Sequence, residues 1–228
     1  MAQPTGVTVT FSSVGLREDL ENVIYDISPT ETPFMSMGSR EDAIAVNHEW
    51  QTDSLAAAGD NFNEEGSTLT AAEAAATTRV GNICQISLKT SLISGTLDAV
   101  SKAGRKQELA YQMSKRAKEL KRDMERALVG VNIAKIPMAG DGTVRKLGSL
   151  PTWVNTNISK ASNGANGAGA GAAARTDGTQ RAFTETLLKA AIVAAYDSGA
   201  DTKYLMMAPA QKQTFSSFVG VGGASGVS

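Results

Sequence analysis

Residues 105–129 read RKQELAYQMSKRAKELKRDMERALV. Leu109, Met113, Ala117, Leu120, Met124 and Leu128 recur at steps of four, four, three, four and four. That spacing predicts one helix of roughly 37 Å carrying a narrow apolar stripe. The rest of its surface is densely charged, with eight Lys/Arg and four Asp/Glu between Arg105 and Arg126. Pairs at i,i+3 such as Arg105/Glu108, Glu119/Arg122 and Asp123/Arg126 add roughly a few tenths of a kcal/mol each. A long helix of this pattern is expected to rest on a body along its stripe and to leave its other faces to solvent or partners.

On the N-terminal side, alternation predicts two strands. In 43–52 (AIAVNHEWQT), Ile44, Val46, His48 and Trp50 share one face. In 80–92, Val80, Cys84, Ile86, Leu88 and Leu92 do so. Between them, 53–77 carries Asp53, Asp60, Glu64, Glu65 and Glu73, no base and few large side chains, so it has no core of its own. Two readings stand: a hairpin with a surface loop, or a hairpin arm ordered only against another surface.

Upstream lies DISPTETPFMSM (26–37), an apolar anchor of Phe34, Met35 and Met37 after two prolines. It reads as a hinge that pins the path from arm to loop, or as an ordinary connection with core plugs. LREDLENVIYDI (16–27) has helical spacing and is stopped by Pro29. Residues 1–15 read as an extended arm.

On the C-terminal side, Asp141-Gly142 signals a turn and PTWVNTNI (151–158) a short strand. The Gly/Ala/Asn tract 161–178 reads as a mobile loop. TETLLKAAIVAAYDSGAD (184–201) reads as a helix with Gly199 as its stop, KYLMMAP (203–209) as a short buried strand, and PAQKQTFSSF (209–218) as a third helix led by Pro209. VGVGGASGVS closes the chain as a Gly/Ser tail. The mixture is α+β.

The chemistry is mostly negative. The chain has 228 residues and a net charge of −1, so no global field draws it to nucleic acid or membrane. One cysteine, Cys84, excludes an internal disulfide or a multi-cysteine metal site, and it reads as a buried inert thiol. The one histidine, His48, reads as a packed or interface residue. There is no GxSxG or SxxK nucleophile motif and no EF-hand spacing. GAGAGAA (167–173) lacks the strand, helix and GK[ST] of a phosphate loop. The basic residues of the long helix are interleaved with acids, as on a solvated face. No signal peptide, membrane span, catalytic residue, cofactor or metal is expected.

DISPTETPFMSM, HEWQTDSL, TTRVGNICQIS, SGTLDAVSKAGRKQELAYQMSKRAKELKRDME and GTQRAFTETLL follow one another across 26–188. In that order they resemble the major capsid (major head) proteins of tailed bacteriophages, whose fold is named after the Hong Kong ninety-seven phage. The resemblance is sharpest to a branch once catalogued only as a domain of unknown function. It implies an N-terminal arm and short helix (1–42), an extended β-hairpin loop (43–94), a peripheral domain with a spine helix (95–179) and part of an axial domain (180–228). It implies further strands after the axial domain, so the chain is expected to be truncated at Ser228.

The resemblance also implies a self-assembling shell subunit of the virion rather than an enzyme. Its partners would be other copies in pentameric and hexameric capsomers, separate scaffolding and portal proteins, and packaged double-stranded DNA contacted at most non-specifically. Assembly would take place in the host bacterial cytoplasm. The candidate subunit-interface residues are Phe34, Met35, Met37, Glu64, Glu65, Lys115, Lys118, Lys121 and Arg122, with Glu64 and Glu65 approaching the Lys115–Arg122 face of a neighbour. A tail-tube or encapsulin-like subunit, and a small α/β enzyme domain, are the alternatives.

Overall fold

The computed structural model describes residues 14, 19–68, 71 and 73–218. The chain forms two compact units, Met1–Thr32 with Leu88–Arg122, and Pro33–Ser87 with Asp123–Ser228. All of the expected arm but Val14, and the whole Gly/Ser tail, lie outside the described residues.

The first unit is organised by helix ends. Its short helix α2 (Gly95–Ala99; α1 lies in the second unit) is capped by Ser94, whose Oγ accepts from Leu97 N–H at 3.2 Å. Lys102 Nζ closes the other end on the carbonyls of Leu97, Asp98 and Val100. Asp98 then caps the next helix, α3 (Glu108–Glu125), accepting from the N–H groups of Glu108 at 2.8 Å and Leu109 at 3.3 Å. One helix therefore supplies the cap of the next, ten residues on.

α3 confirms the predicted long helix, but much of its expected inward face is exposed. Leu109 and Met113 of the apolar stripe are 50% and 63% exposed. The side turned inward is largely polar: Glu108 is 4% exposed, and Tyr111, Gln112, Arg116 and Glu119 are half-buried, together with Leu120 of the stripe. Glu108 receives hydrogen bonds from Gln112 Nε2 at 2.9 Å and from Arg105. Arg105 also lies over the Tyr111 ring, 5.4 Å from its centroid. Glu119 pairs with Arg116 at 2.6 Å, one turn before it, and not with the expected Arg122.

The expected helix over 16–27 is absent from its described part, since Asp19–Ile27 has no helical turn. Helices this short are marginal in water without a packed face, and Leu20, Val23, Tyr25 and Ile27 are all exposed. The segment is irregular instead, with a bend at Asn22. Asn22 Oδ1 accepts from Gly104 N–H at 3.2 Å, and Asp26 Oδ2 meets Lys118 Nζ at 3.3 Å.

In the second unit, α1 (Pro33–Met37) begins with a proline that has no N–H to cap. Its first two donors, Phe34 N–H and Met35 N–H, go to the two carboxylate oxygens of Glu125 at 2.8 and 2.9 Å. Past Glu125 the helix ends in a single wider turn, Arg126–Gly130, hydrogen-bonded i→i+5.

Strands β1 (Asn47–Thr52) and β2 (Thr78–Ile83) pair antiparallel, from Asn47 opposite Ile83 to Thr52 opposite Thr78. The second strand is shorter than the expected 80–92. Past Ile83 one further bond, Cys84 N–H to Val46 O, extends the pairing, and then Ile86, Leu88 and Leu92 stand exposed without strand partners among the described residues. The described residues of 53–77 carry no helix or strand.

The hairpin is fastened to the body by polar groups. The Asn82 amide pairs with both backbone groups of Gly148, donating at 3.1 Å and accepting at 2.8 Å. Lys135 Nζ donates to Gly81 O at 2.6 Å, and the Trp50 and Trp153 rings stack 5.2 Å apart. Asn132 repeats the amide device on the backbone of Arg175. Ser149 and Thr152 are fully buried, Ser149 pairing with Ile133 and Thr152 Oγ1 donating to Ser149 O at 2.6 Å.

Two expectations fail here for one reason. PTWVNTNI begins in a 3₁₀ turn, Leu150–Thr152, and contains no strand. The Gly/Ala tract is no mobile loop: Gly167, Gly169 and Gly171 are buried, an Ala165–Thr176 bridge closes the tract, and Lys135 N–H donates to Gly171 O at 2.8 Å. Gly171 has φ +70°, and a Cβ there would sit 3.2 Å from the Trp153 indole. Only glycine combines that dihedral with that approach.

Helix α4 (Glu185–Asp197) follows its sequence signals. Thr184 Oγ1 accepts from Leu187 N–H, and Gly199 at φ +80° ends it. Gly199 N–H bonds Tyr196 O and Ala200 N–H bonds Ala195 O, the paired bonds of a Schellman end. Residues 203–207 form no strand, and Tyr204, Leu205 and Met206 are exposed. Helix α5 (Pro209–Ser216) starts at its proline, and Phe183, Phe215 and Phe218 cluster beside it.

Three outcomes test this account. Glu125→Ala leaves two N–H groups without acceptors and costs about 1–2 kcal/mol, and chymotrypsin cleavage after Phe34 should rise while Glu125→Gln stays closer to the parent. Gly171→Ala should lower the tryptophan-fluorescence unfolding midpoint by about 2–3 kcal/mol in stability, against about 1 for Gly66→Ala, whose φ is also positive but whose Cβ meets open space. Gln112 first, then Arg105, holds the Glu108 carboxyl below its ordinary 4.5. A depressed carboxyl stabilises the fold above its unfolded pKa and loses that as pH falls through the folded value. Acid weakening should therefore set in below about pH 4.5, and Glu108→Gln should remove part of it in an acid titration followed by circular dichroism.

Candidate subunit-contact site

The nine candidate contact residues fall in three places. Phe34 and Met35 are half-buried on α1, held through their backbones by Glu125, while Met37 is exposed at the end of the same helix. Glu64 and Glu65 open a tight turn, in which Ser67 N–H donates to Glu64 O at 3.1 Å and Gly66 has φ +85°. That turn stands midway in sequence between Thr52 and Thr78. Its carboxylates are exposed.

Lys115, Lys118, Lys121 and Arg122 lie on α3. They are not equivalent. Lys118 holds Asp26, whose carboxyl is kept below its usual range by the Ser28 N–H first and the Lys118 ammonium second, with Lys115 adding a smaller pull. Lys115, Lys118, Tyr111 and Ser114 wall one side of a cleft of about 300 Å³ whose other side is Ile24–Ser28. Lys121 and Arg122 are exposed and make no ion pair among the described residues. The structure thus divides a basic face that is uniform in sequence: part holds the chain's own N-terminal strap, and part is unengaged.

His48 lies on β1 with its ring 5.9 Å from Trp50, at the edge of the Trp50–Trp153 stack. Cys84 is half-buried just past β2, its Sγ 3.5 Å from Ala45 O. Neither touches a carboxylate or a base in an arrangement for catalysis among the described residues. No three His, Cys, Asp or Glu side chains converge as a metal site among them, and no described helix is long and apolar enough to cross a membrane.

Sequence reasoning missed the residues that position these groups. Asp26, Glu125, Asn82 and Asn132 act on partners tens of residues away, a reach that no local spacing encodes. Asp98 reaches Glu108 from ten residues upstream, outside the position directly before a helix where a cap is read from sequence.

A family model described as SU10 major capsid protein matches residues 3–226. The major capsid protein of Escherichia phage Phieco32 is 38% identical over 130 residues, which are 57% of this chain and 37% of that protein. The chain thus spans little more than a third of the length of that curated relative. The family match runs through the capped long helix, the hairpin with its acidic loop and the glycine-packed body alike, and with it the chain belongs to the SU10 major capsid protein family.

Proposed function

We propose that this chain is a structural subunit of the head shell of a tailed bacteriophage, built on the Hong Kong ninety-seven phage-type fold and enclosing the genome by self-assembly. The observation that carries the reading is the family match over residues 3–226. A relative named as a phage major capsid protein supports it.

The physical chemistry agrees. Leu188, 7% exposed, is the one large apolar residue that is buried among the described residues, while Leu109, Met113, Ile86 and Leu88 are exposed. Such a surface gains its apolar contacts from neighbours. In this reading 43–94 is the loop laid over an adjacent subunit, α3 is the spine of the peripheral domain, and α4 begins the axial domain. Copies join as pentameric and hexameric capsomers in the host bacterial cytoplasm, with separate scaffolding and portal proteins, and the product is the virion shell. Contacts with packaged DNA are non-specific. The role is structural, not catalytic.

Phe34, Met35 and Met37 anchor the path from the arm into the loop. Glu64 and Glu65 in the loop face the basic side of a neighbouring α3. Since Lys118 and, beside it, Lys115 serve Asp26, Lys121 and Arg122 carry most of that contact. Rim charges of this kind set encounter and register more than affinity.

Sedimentation and negative-stain microscopy of the purified chain test the reading: capsomer rings or closed shells are expected, and a monodisperse monomer at every salt and concentration would overturn it. Lys121→Glu with Arg122→Glu should flatten the salt dependence of assembly, leaving the Asp26–Lys118 contact intact. Assembly with unchanged salt dependence would remove the charge contact while leaving the shell role in place.

A further inference from the structure

The second unit contains an open groove that its own chain does not fill. It extends through two adjoining clefts of about 530 and 470 Å³ that share Ile86, Val144 and Arg145. Ile86 is 71% exposed, Val144 68% and Met138 70%, so the floor is apolar and open. Arg126, Arg145 and Lys146 edge it, with Asp123 the one acid. These three bases make no ion pair among the described residues. The groove suits an acidic segment that carries a large apolar side chain.

The chain possesses such a segment. In the hairpin loop, Phe62 is 91% exposed and stands between Asp60 on one side and Glu64 and Glu65 on the other. We infer that Phe62 of one copy seats in the groove of a second copy, with Asp60, Glu64 and Glu65 meeting Arg126, Arg145 and Lys146. This rests on the shell-subunit reading and names the place where the loop of one subunit is anchored on the next.

Topology favours a second copy over the chain's own loop. The loop leaves the hairpin beyond Thr52 and Thr78, whereas the groove begins at Gln85 and Ile86, past the opposite end of β2 at Ile83. Six residues of strand, roughly 17 Å, separate the two ends, and the loop sets out away from its own groove. Phe62 supplies buried apolar area that the rim charges alone lack.

Disulfide trapping on a Cys84→Ser background tests this. Phe62→Cys and Val144→Cys chains are made separately, mixed at assembly and oxidised with copper phenanthroline. A covalent dimer that forms from the mixture, and from neither variant alone, is expected. Arg145→Glu with Lys146→Glu on the Val144→Cys chain should cut its yield at least fivefold, and Glu64→Lys with Glu65→Lys on the partner should restore it. A chain carrying both cysteines that closes only on itself would overturn the inference in favour of the loop's own groove. Shells or capsomers that form with no cross-link in either arrangement would overturn it while sparing the shell role. A chain that stays monomeric throughout would remove both.

Discussion

The body of this protein depends on the Asn82 amide being spent on the backbone of Gly148. One side chain satisfies an N–H and a C=O that lie 66 residues away, as a paired strand would. The same substitution of side chain for strand is made by Asn132 at Arg175 and by Ser149 at Ile133. Buried backbone groups must be paired, and here they are paired without building a larger sheet. Segments can therefore approach almost to backbone contact, and the positions where they do so are glycines: Gly81, Gly148, Gly167, Gly169 and Gly171 are all buried. The two tryptophans, one from the hairpin and one from the body, seal this packing from the side.

A core of amides, hydroxyls and glycines leaves little room for large apolar side chains, and that has a consequence for the surface. Leucines, isoleucines and methionines that another chain of this size would hide are left outside. Their exposure follows from how the core is made. In a monomer such surface is a liability. The loop shows the same division of labour. Its described residues have no internal structure beyond the turn at Gly66, yet its ends are fixed firmly to the body.

What was legible in the sequence follows from the range of each signal. The Thr184 cap, the Gly199 stop, the Pro209 start and the α3 period are all written within one or two turns of the chain, and each is found in place. The hairpin was legible because alternation is local too. The failures share a cause of the opposite kind. Residues 19–27, 84–92 and 203–207 have the apolar character of packed elements, but no packing partner for them is found among the described residues. The Gly/Ala tract failed the other way: its composition resembles that of a free loop, and the Trp153 face and the Asn132 amide that order it are remote in sequence. Of the candidate contact residues, Lys115, Lys118, Lys121 and Arg122 lie together on α3, and no local signal in the sequence shows that Asp26 engages Lys118.

The sharpest case is α3, because its pattern was strong and yet Leu109 and Met113 of its stripe are exposed. Reading the stripe as the inward face assumes that the nearest apolar surface belongs to the same chain. Here the inward face carries Glu108, Gln112, Arg116 and Glu119, joined by hydrogen bonds and ion pairs. Partly buried ion pairs recover little beyond their desolvation cost, so that face gives register more than stability. Removing one partner leaves a charge stranded, which is why such a face tolerates one seating of the helix and penalises others. Part of the apolar stripe is then available for a different task. A helix that uses charge to fix itself leaves Leu109 and Met113 outward while Leu120 and Leu128 are half-buried, so its stripe is only partly satisfied by its own chain.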